Sequence, residues 1–414
     1  MTNIDFEKLA REVTAEVSHI YINIDKIALA NHSKVLEAFH KAKVSDSHLK
    51  STTGYGYGDR GRETLETVFT RIFRAESALV RCQIVSGTHA IALCLYGILR
   101  PGDVLLFAQG EPYDTLSEII GSRRDSNGSL KEFGVKYRQL ELNQDGKVDL
   151  KALEEALLQR VRLVMIQRSR GYSLKPSLSI DRIREICALV KKVSPGTVVF
   201  VDNCYGEFVE EEEPLEAGAD IVAGSFIKNP GGGLAPTGGY VAGKRELVEA
   251  AASRWTAPGI GAEIGPAAEY QRLLFQGLFV APHVVAEALK GVVFASRFFE
   301  RIGFPVYPLY NEIRTDIVQS VLLGSPERMS AFCRGIQKSS PIDAHVVPEP
   351  SPMPGYGDSV VMAAGTFVQG ASLELTADGP VRPPYAVYLQ GGLFKEHVII
   401  AAITAAREIL KTRG

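Results

Sequence analysis

Cysteine is sparse and unpatterned. Cys82, Cys94, Cys187, Cys204 and Cys333 form no CxxC pair and no regular framework, which removes a disulfide scaffold or a thiolate metal knuckle and fits a reducing, cytoplasmic setting. An excess of one charge is missing too. With 46 basic and 48 acidic residues the net charge is −2, so nothing electrostatic draws the chain to nucleic acid or an anionic membrane. The eight histidines show no HxH or HExxH spacing, so no metal site is expected. No uncharged stretch reaches the ~18 residues a membrane span needs. The N-terminus, Met1 to Lys8, lacks the basic start and apolar run of a signal peptide. What these absences leave is a soluble cytoplasmic protein.

The 414 residues exceed one core, and at ~150 residues per domain they suggest two to three units. Residues 1 to about 50 read as amphipathic helix, with Phe6, Leu9 and Val13 on one face. Gly54-Tyr55-Gly56-Tyr57-Gly58-Asp59-Arg60 follows a polar break. Its alternating glycines are no dinucleotide fingerprint, because no apolar strand precedes them; the loop instead presents Tyr55, Tyr57 and Arg60 to something anionic. Leu65, Val68, Phe69, Ile72 and Phe73 then repeat at helical spacing.

Strand and helix alternate from there. Apolar runs at Ala78 to Val85, Val104 to Phe107, Val161 to Ile166, Val198 to Val201 and Ile221 to Ser225 read as strands, with helices between them at Ile91 to Leu99, Val148 to Leu158 and Ile180 to Val193. This rhythm predicts an α/β fold with a mostly parallel sheet between helices. Ligands in such sheets sit beyond the carboxyl ends of the strands, where Ser86, Tyr113, Arg168, Asp202 and Ser225 fall. Beyond a long apolar helix at about Val284 to Phe299, short strands are expected at Asp316 to Leu323, Val360 to Ala364 and Ser372 to Leu375. A Pro/Gly-rich loop at Pro348 to Gly357 reads as surface or pocket lid, and Phe394 to Leu410 as a final helix.

Two features of the alternating region carry chemistry. Ser86-Gly87-Thr88 opens an apolar helix, and its free backbone N–H groups suit a phosphate. Asp202 closes one buried strand, and Lys228 follows the next in Ser225-Phe226-Ile227-Lys228-Asn229-Pro230-Gly231. A lysine to hold an aldehyde and a carboxylate to hold a ring nitrogen are what pyridoxal phosphate needs. Gly238 to Lys244 reads GxxxxGK, but Arg245 stands where a P-loop needs a hydroxyl, which argues against nucleotide hydrolysis. Glu210 to Glu213 reads as a solvated loop.

The motifs Gly54-Tyr-Gly-Tyr-Gly-Asp, Val85-Ser-Gly-Thr-His-Ala, Glu111-Pro-Tyr-Asp-Thr-Leu, Val201-Asp-Asn-Cys-Tyr-Gly-Glu-Phe, Lys228-Asn-Pro-Gly-Gly-Gly and Gln390-Gly-Gly-Leu bring a family into view. Across its whole length the chain resembles the fold-type I pyridoxal phosphate enzymes of the cystathionine lyase and methionine γ-lyase kind. Within them it is most similar to the aluminium-resistance, or methionine γ-lyase-like, branch. The resemblance implies a fold-type I transferase fold: an arm at 1–62 serving the neighbouring subunit's site, a large cofactor-binding domain at 63–285 and a small α+β domain at 286–414. It implies that Lys228 bonds pyridoxal 5'-phosphate, Asp202 pairs with its ring nitrogen and Tyr113 stacks on the ring. Ser86, Gly87, Thr88 and Ser225 hold the phosphate, and Tyr57 and Arg60 reach it from a neighbouring subunit. A homodimer is then the catalytic unit, paired into a homotetramer. One departure stands out: Ile227 occupies a place usually held by a hydroxyl residue.

The activity implied is β- or γ-elimination on an amino acid, with C–S cleavage giving a 2-oxo acid, ammonia and the leaving group. Lys228, Tyr113 and Asp202 are the catalytic candidates. Arg382, then Arg170, are the residues expected to clamp the substrate carboxylate, with Tyr55 near the substrate. Transamination on the same cofactor, or cofactor binding without turnover, are the alternatives.

Overall fold

The computed structural model describes residues 4–123 and 127–412. Seven strands form the larger sheet: β1 (Ser77–Arg81), β2 (Val104–Phe107), β3 (Lys136–Gln139), β4 (Leu163–Gln167), β5 (Val198–Asp202), β6 (Ile221–Ser225) and β7 (Gly239–Gly243). They lie in the order β1-β7-β6-β5-β4-β2-β3. The run from β6 to β3 is parallel, and β7 is antiparallel to both its neighbours. β4, β5 and β6 are buried at every position, the pattern of strands covered on both faces.

The helices among the described residues are α1 (Phe6–Lys41), α2 (Arg60–Phe73), α3 (Gly87–Ile98), α4 (Asp114–Ile120), α5 (Leu150–Leu157), α6 (Ile180–Val193), α7 (Arg245–Trp255), α8 (Gln271–Arg301), α9 (Pro326–Lys338) and α10 (Lys395–Lys411). Their starts are written in the sequence. Asp5, Asp59, Ser86, Asp149, Ser179 and Ser325 each accept a first-turn amide with the side chain, each cap being worth about 1 kcal/mol. α1 lays Phe6, Val13, Val17 and Val35 inward, and Arg297 and Arg301 of α8 pair with Glu16 and Glu12 along its length.

α8 is long and apolar enough to cross a membrane by length and composition, but 78% of its apolar window is buried inside the fold. It is a core helix. It also runs without a break through position 285, where the expected large and small domains meet. Beyond it lies a second, antiparallel sheet of β8 (Val306–Tyr307), β9 (Val318–Leu322), β10 (Val360–Ala363), β11 (Thr376–Pro380) and β12 (Ala386–Gln390), ordered β10-β11-β12-β9-β8. Here one expectation is corrected. Ser372 to Leu375 is a turn, and the strand begins at Thr376, because a turn must first bring the chain from Val368 to the sheet, with Ala371 and Glu374 closing successive backbone hydrogen bonds.

One further reading changes. Glu210 to Glu213 is only partly a solvated run: Glu213 is fully buried, and with Glu210 it pairs Arg168, itself fully buried beneath the loop after β5. The GxxxxGK stretch is the interior strand β7, and Lys244 ends it on Asp220 at 2.7 Å.

Candidate active site

The carboxyl ends of the large sheet converge on a cavity of about 340 Å³. Lys228, Asp202, Tyr113, Ser86, Gly87, Thr88 and Ser225 all line it. Strand geometry explains the convergence. β5 and β6 are adjacent and parallel, so Asp202 at the end of one and the turn after Ser225 at the end of the other open to the same side.

Lys228 is held in place by the glycine-rich loop on its C-terminal side. That loop folds on itself so tightly that a Cβ on Gly231 would lie 2.0 Å from the Phe226 carbonyl, and it backs onto α8 so closely that one on Gly277 would lie 2.2 Å from the Gly231 carbonyl. The glycines therefore serve close backbone approach rather than flexibility. Asn229 adds a hydrogen bond to the Glu207 carbonyl at 3.0 Å. The Lys228 amine sits 3.8 Å from the centre of the Tyr205 ring. Tyr205 has a positive φ of 72°, an unusual state for a bulky residue that a functional site can hold in place.

Electrostatics divide the roles. Burial raises the Asp202 carboxyl above its ordinary range, while Lys228 and the Cys204 amide, 3.1 Å from Oδ1, pull it back. Burial works against a charged Lys228, yet Cys204, Tyr205 and Asp202 together hold its pKa above the ordinary lysine value. Covalent work requires a depressed lysine pKa, which a cationic ring bound beside it would supply. The Tyr113 hydroxyl is pushed up by burial and by the Asp202 charge, so it keeps its proton at neutral pH. Thr88 Oγ1 lies 3.2 Å from it and orients it.

The residues fit pyridoxal phosphate. Ser86 caps α3, leaving first-turn amides of that helix beside Ser225 for a phosphate. A Cβ on Gly87 would lie 2.9 Å from Cys204 Sγ, so only glycine keeps that cradle open.

Other candidates lie elsewhere. Arg382 pairs with Asp358 at 2.7 Å and Arg170 lies 3.7 Å from Asp316; both border a neighbouring cavity behind Tyr172. Tyr55 and Tyr57 stand exposed, their rings 5.6 Å apart, with Arg60 exposed beside them. The loop that carries them is rigidly held: buried Arg62 donates to the carbonyls of Gly56 at 2.8 Å and Gly265 at 3.1 Å.

The second sheet supplies what the sequence did not disclose. Asp378 on β11, Tyr388 and Gln390 on β12, Val318 on β9 and Met362 on β10 line the same cavity, with Tyr172 and Tyr356. Burial pushes Asp378 up to about 7, against hydrogen bonds from Tyr172 and Gln390 and the pull of Lys228. The hints were Tyr356, inside the Pro/Gly-rich loop read as surface or lid, and Gln390, which opens the motif Gln390-Gly-Gly-Leu.

A parallel-centred seven-stranded sheet, a lysine beyond its β6 and a second antiparallel sheet closing the pocket define the fold of the type I pyridoxal phosphate enzymes. Cystathionine gamma synthase of Xanthomonas oryzae shares that fold at 16% identity and a TM-score of 0.63. The chain belongs to the methionine gamma-lyase family, whose sequence profile matches residues 6–410. It is 51% identical over 406 residues to the uncharacterised YnbB of Bacillus subtilis, covering 98% of this chain and 96% of that one. It is 46% identical to a Clostridium novyi structure described as a carbon-sulfur lyase involved in aluminium resistance, with a TM-score of 0.93 and 97% and 95% coverage. A Listeria monocytogenes structure, described as a candidate cystathionine beta-lyase involved in aluminium resistance, is 50% identical with a TM-score of 0.94, over 97% of this chain and 100% of that one.

Proposed function

We propose that this chain is a pyridoxal phosphate-dependent carbon–sulfur lyase that cleaves an amino acid at Cβ or Cγ to a 2-oxo acid, ammonia and a thiol. The observation that carries the reading is the meeting of Lys228, Asp202 and Tyr113 in one cavity above the sheet. When bound, the cofactor supplies the electron sink for carbanion chemistry. Lys228 would hold it covalently and, once displaced by the substrate amine, take the Cα proton on Nζ. Asp202 would keep the ring nitrogen protonated; two unit charges 4 Å apart at an effective dielectric near 20 attract by about 4 kcal/mol. Tyr113, protonated and oriented by Thr88, would donate to the departing sulfur. The outward Tyr57 and Arg60 support a homodimer in which each subunit completes its neighbour's phosphate site.

The test is product analysis on the holoenzyme with thioether amino acids. Thiol, ammonia and 2-oxo acid in equal amounts, without an added oxo-acid acceptor, uphold the reading. Amine transfer that requires an acceptor replaces it with transamination.

A further inference from the structure

The far wall of the pocket says what the substrate's tail should be. Among the described residues, three charged side chains line the cavity: Lys228, Asp202 and Asp378. In the proposed reaction Lys228 and Asp202 are committed to the cofactor, which leaves Asp378, pushed up to about 7 by burial, with no other cation than Lys228 among the described lining residues. Its partners are neutral. Gln390 Nε2 donates to its two oxygens at 3.1 and 3.2 Å, and the Tyr172 hydroxyl donates as well.

Two more features surround this carboxylate. Tyr172 packs between Tyr356, at 5.6 Å between ring centres, and Tyr388, at 5.3 Å, so aromatic rings wall the space beside it. Gln390 Oε1 is buried and, among the described residues, receives no hydrogen bond. An unpaired carboxylate, an acceptor without a donor and a set of aromatic rings are together complementary to a group that brings positive charge and N–H donors. An anionic tail would meet Asp378 with no arginine among the described lining residues to offset it.

We propose that Asp378, Gln390 and the tyrosines around them select amino acids whose sulfur leaving group ends in an ammonium. The selection rests on the lyase reading above and narrows it to a substrate class.

The test compares three thioethers of cysteine on the holoenzyme: S-(2-aminoethyl)-L-cysteine, the isosteric S-propyl-L-cysteine and S-(2-carboxyethyl)-L-cysteine. The expected order of kcat/KM is aminoethyl above propyl by about tenfold or more, with carboxyethyl lowest. Asp378→Asn should bring aminoethyl and propyl within about threefold of each other, through a rise in KM for the aminoethyl compound. Equal rates for all three compounds with the wild-type enzyme overturn the proposal, whether or not the variant folds. So does an equal loss on aminoethyl and propyl in Asp378→Asn, which would place the carboxylate on the shared α-amino end. If none of the three is turned over, it is the Cβ arm of the lyase reading that fails. Calorimetric titration of the same compounds into the holoprotein then decides: aminoethyl binding about tenfold tighter than propyl upholds ammonium recognition, and equal affinities overturn it.

Discussion

The two walls of the pocket differ in kind. The wall made by the large sheet has its chemistry at strand ends and helix starts: Asp202 closes β5, Lys228 follows β6 and Ser86 caps α3. The wall made by the second sheet carries Asp378 and Tyr388 within strands, with Gln390 at the end of β12, all lining the cavity. Residues at the ends of elements sit where backbone amides and dipoles can be used, and they serve a reaction centre. Residues in mid-strand can vary while the sheet persists, which suits the choice of substrate. Changes in the first wall should therefore lower kcat for every substrate, and changes in the second should alter KM and preference.

The sharpest break with that comparison would come at Lys228. Lys228→Ala should lower kcat by about 10³-fold or more on every amino acid, since the residue both holds the cofactor and moves the proton. A steady-state assay that finds more than a tenth of wild-type kcat would remove Lys228 from the centre. Asp202→Asn keeps the shape and loses the charge, and kcat should drop by about 10²-fold. An effect confined to KM would instead place Asp202 among the recognition residues. Tyr113→Phe should cost about 10²-fold for poor leaving groups and markedly less for an activated thiolate, the signature of a lost general acid; a uniform loss would point to ring stacking alone.

Arg382 sharpens the boundary between pocket and surroundings. It is paired with Asp358 and borders the neighbouring cavity, so Arg382→Ala should alter KM by less than about threefold. A strong rise in KM would show that the pocket closes further in the complex and draws the guanidinium in, as the sequence led one to expect.

The smallest effect is one of stability. Glu207 is fully buried, accepts from Tyr240 at 2.7 Å, and is pushed up by burial to about 8 from an ordinary value of 4.5. The folded protein therefore holds this proton more tightly than the unfolded chain. The stability that this proton supplies is complete below about pH 4.5 and is lost as pH rises toward 8. Glu207→Gln keeps the acceptor and removes the titration, so its stability relative to wild type should rise steadily between pH 5 and 9. Thermal melts across that range that stay parallel would contradict it.

The first wall was legible in the sequence for physical reasons. Runs such as Val198 to Val201 and Ile221 to Ala223 are uniformly apolar because both their faces are covered, and the polar residue that interrupts each run marks where the strand meets the pocket. The second wall was not. Asp378 lies in Thr376-Ala377-Asp378-Gly379-Pro380, a composition poor for a strand, and it pairs with β10 and β12 only because tertiary contacts hold it there. Tyr388 and Gln390 alternate toward the cavity, but nothing in an isolated strand says which face meets a ligand. Arg168 misled for a related reason: it follows a strand beside the pocket, yet its side chain turns beneath the loop after β5 to Glu210 and Glu213, contacts far along the chain that no local pattern announces.

The proposed chemistry depends on one covalent bond, and its most direct measurement is borohydride reduction of the cofactor-loaded protein followed by peptide mass spectrometry. A single reduced pyridoxyl group on Lys228 is the predicted result. The group on another lysine, or no covalent attachment in a protein that still binds pyridoxal phosphate, would contradict it.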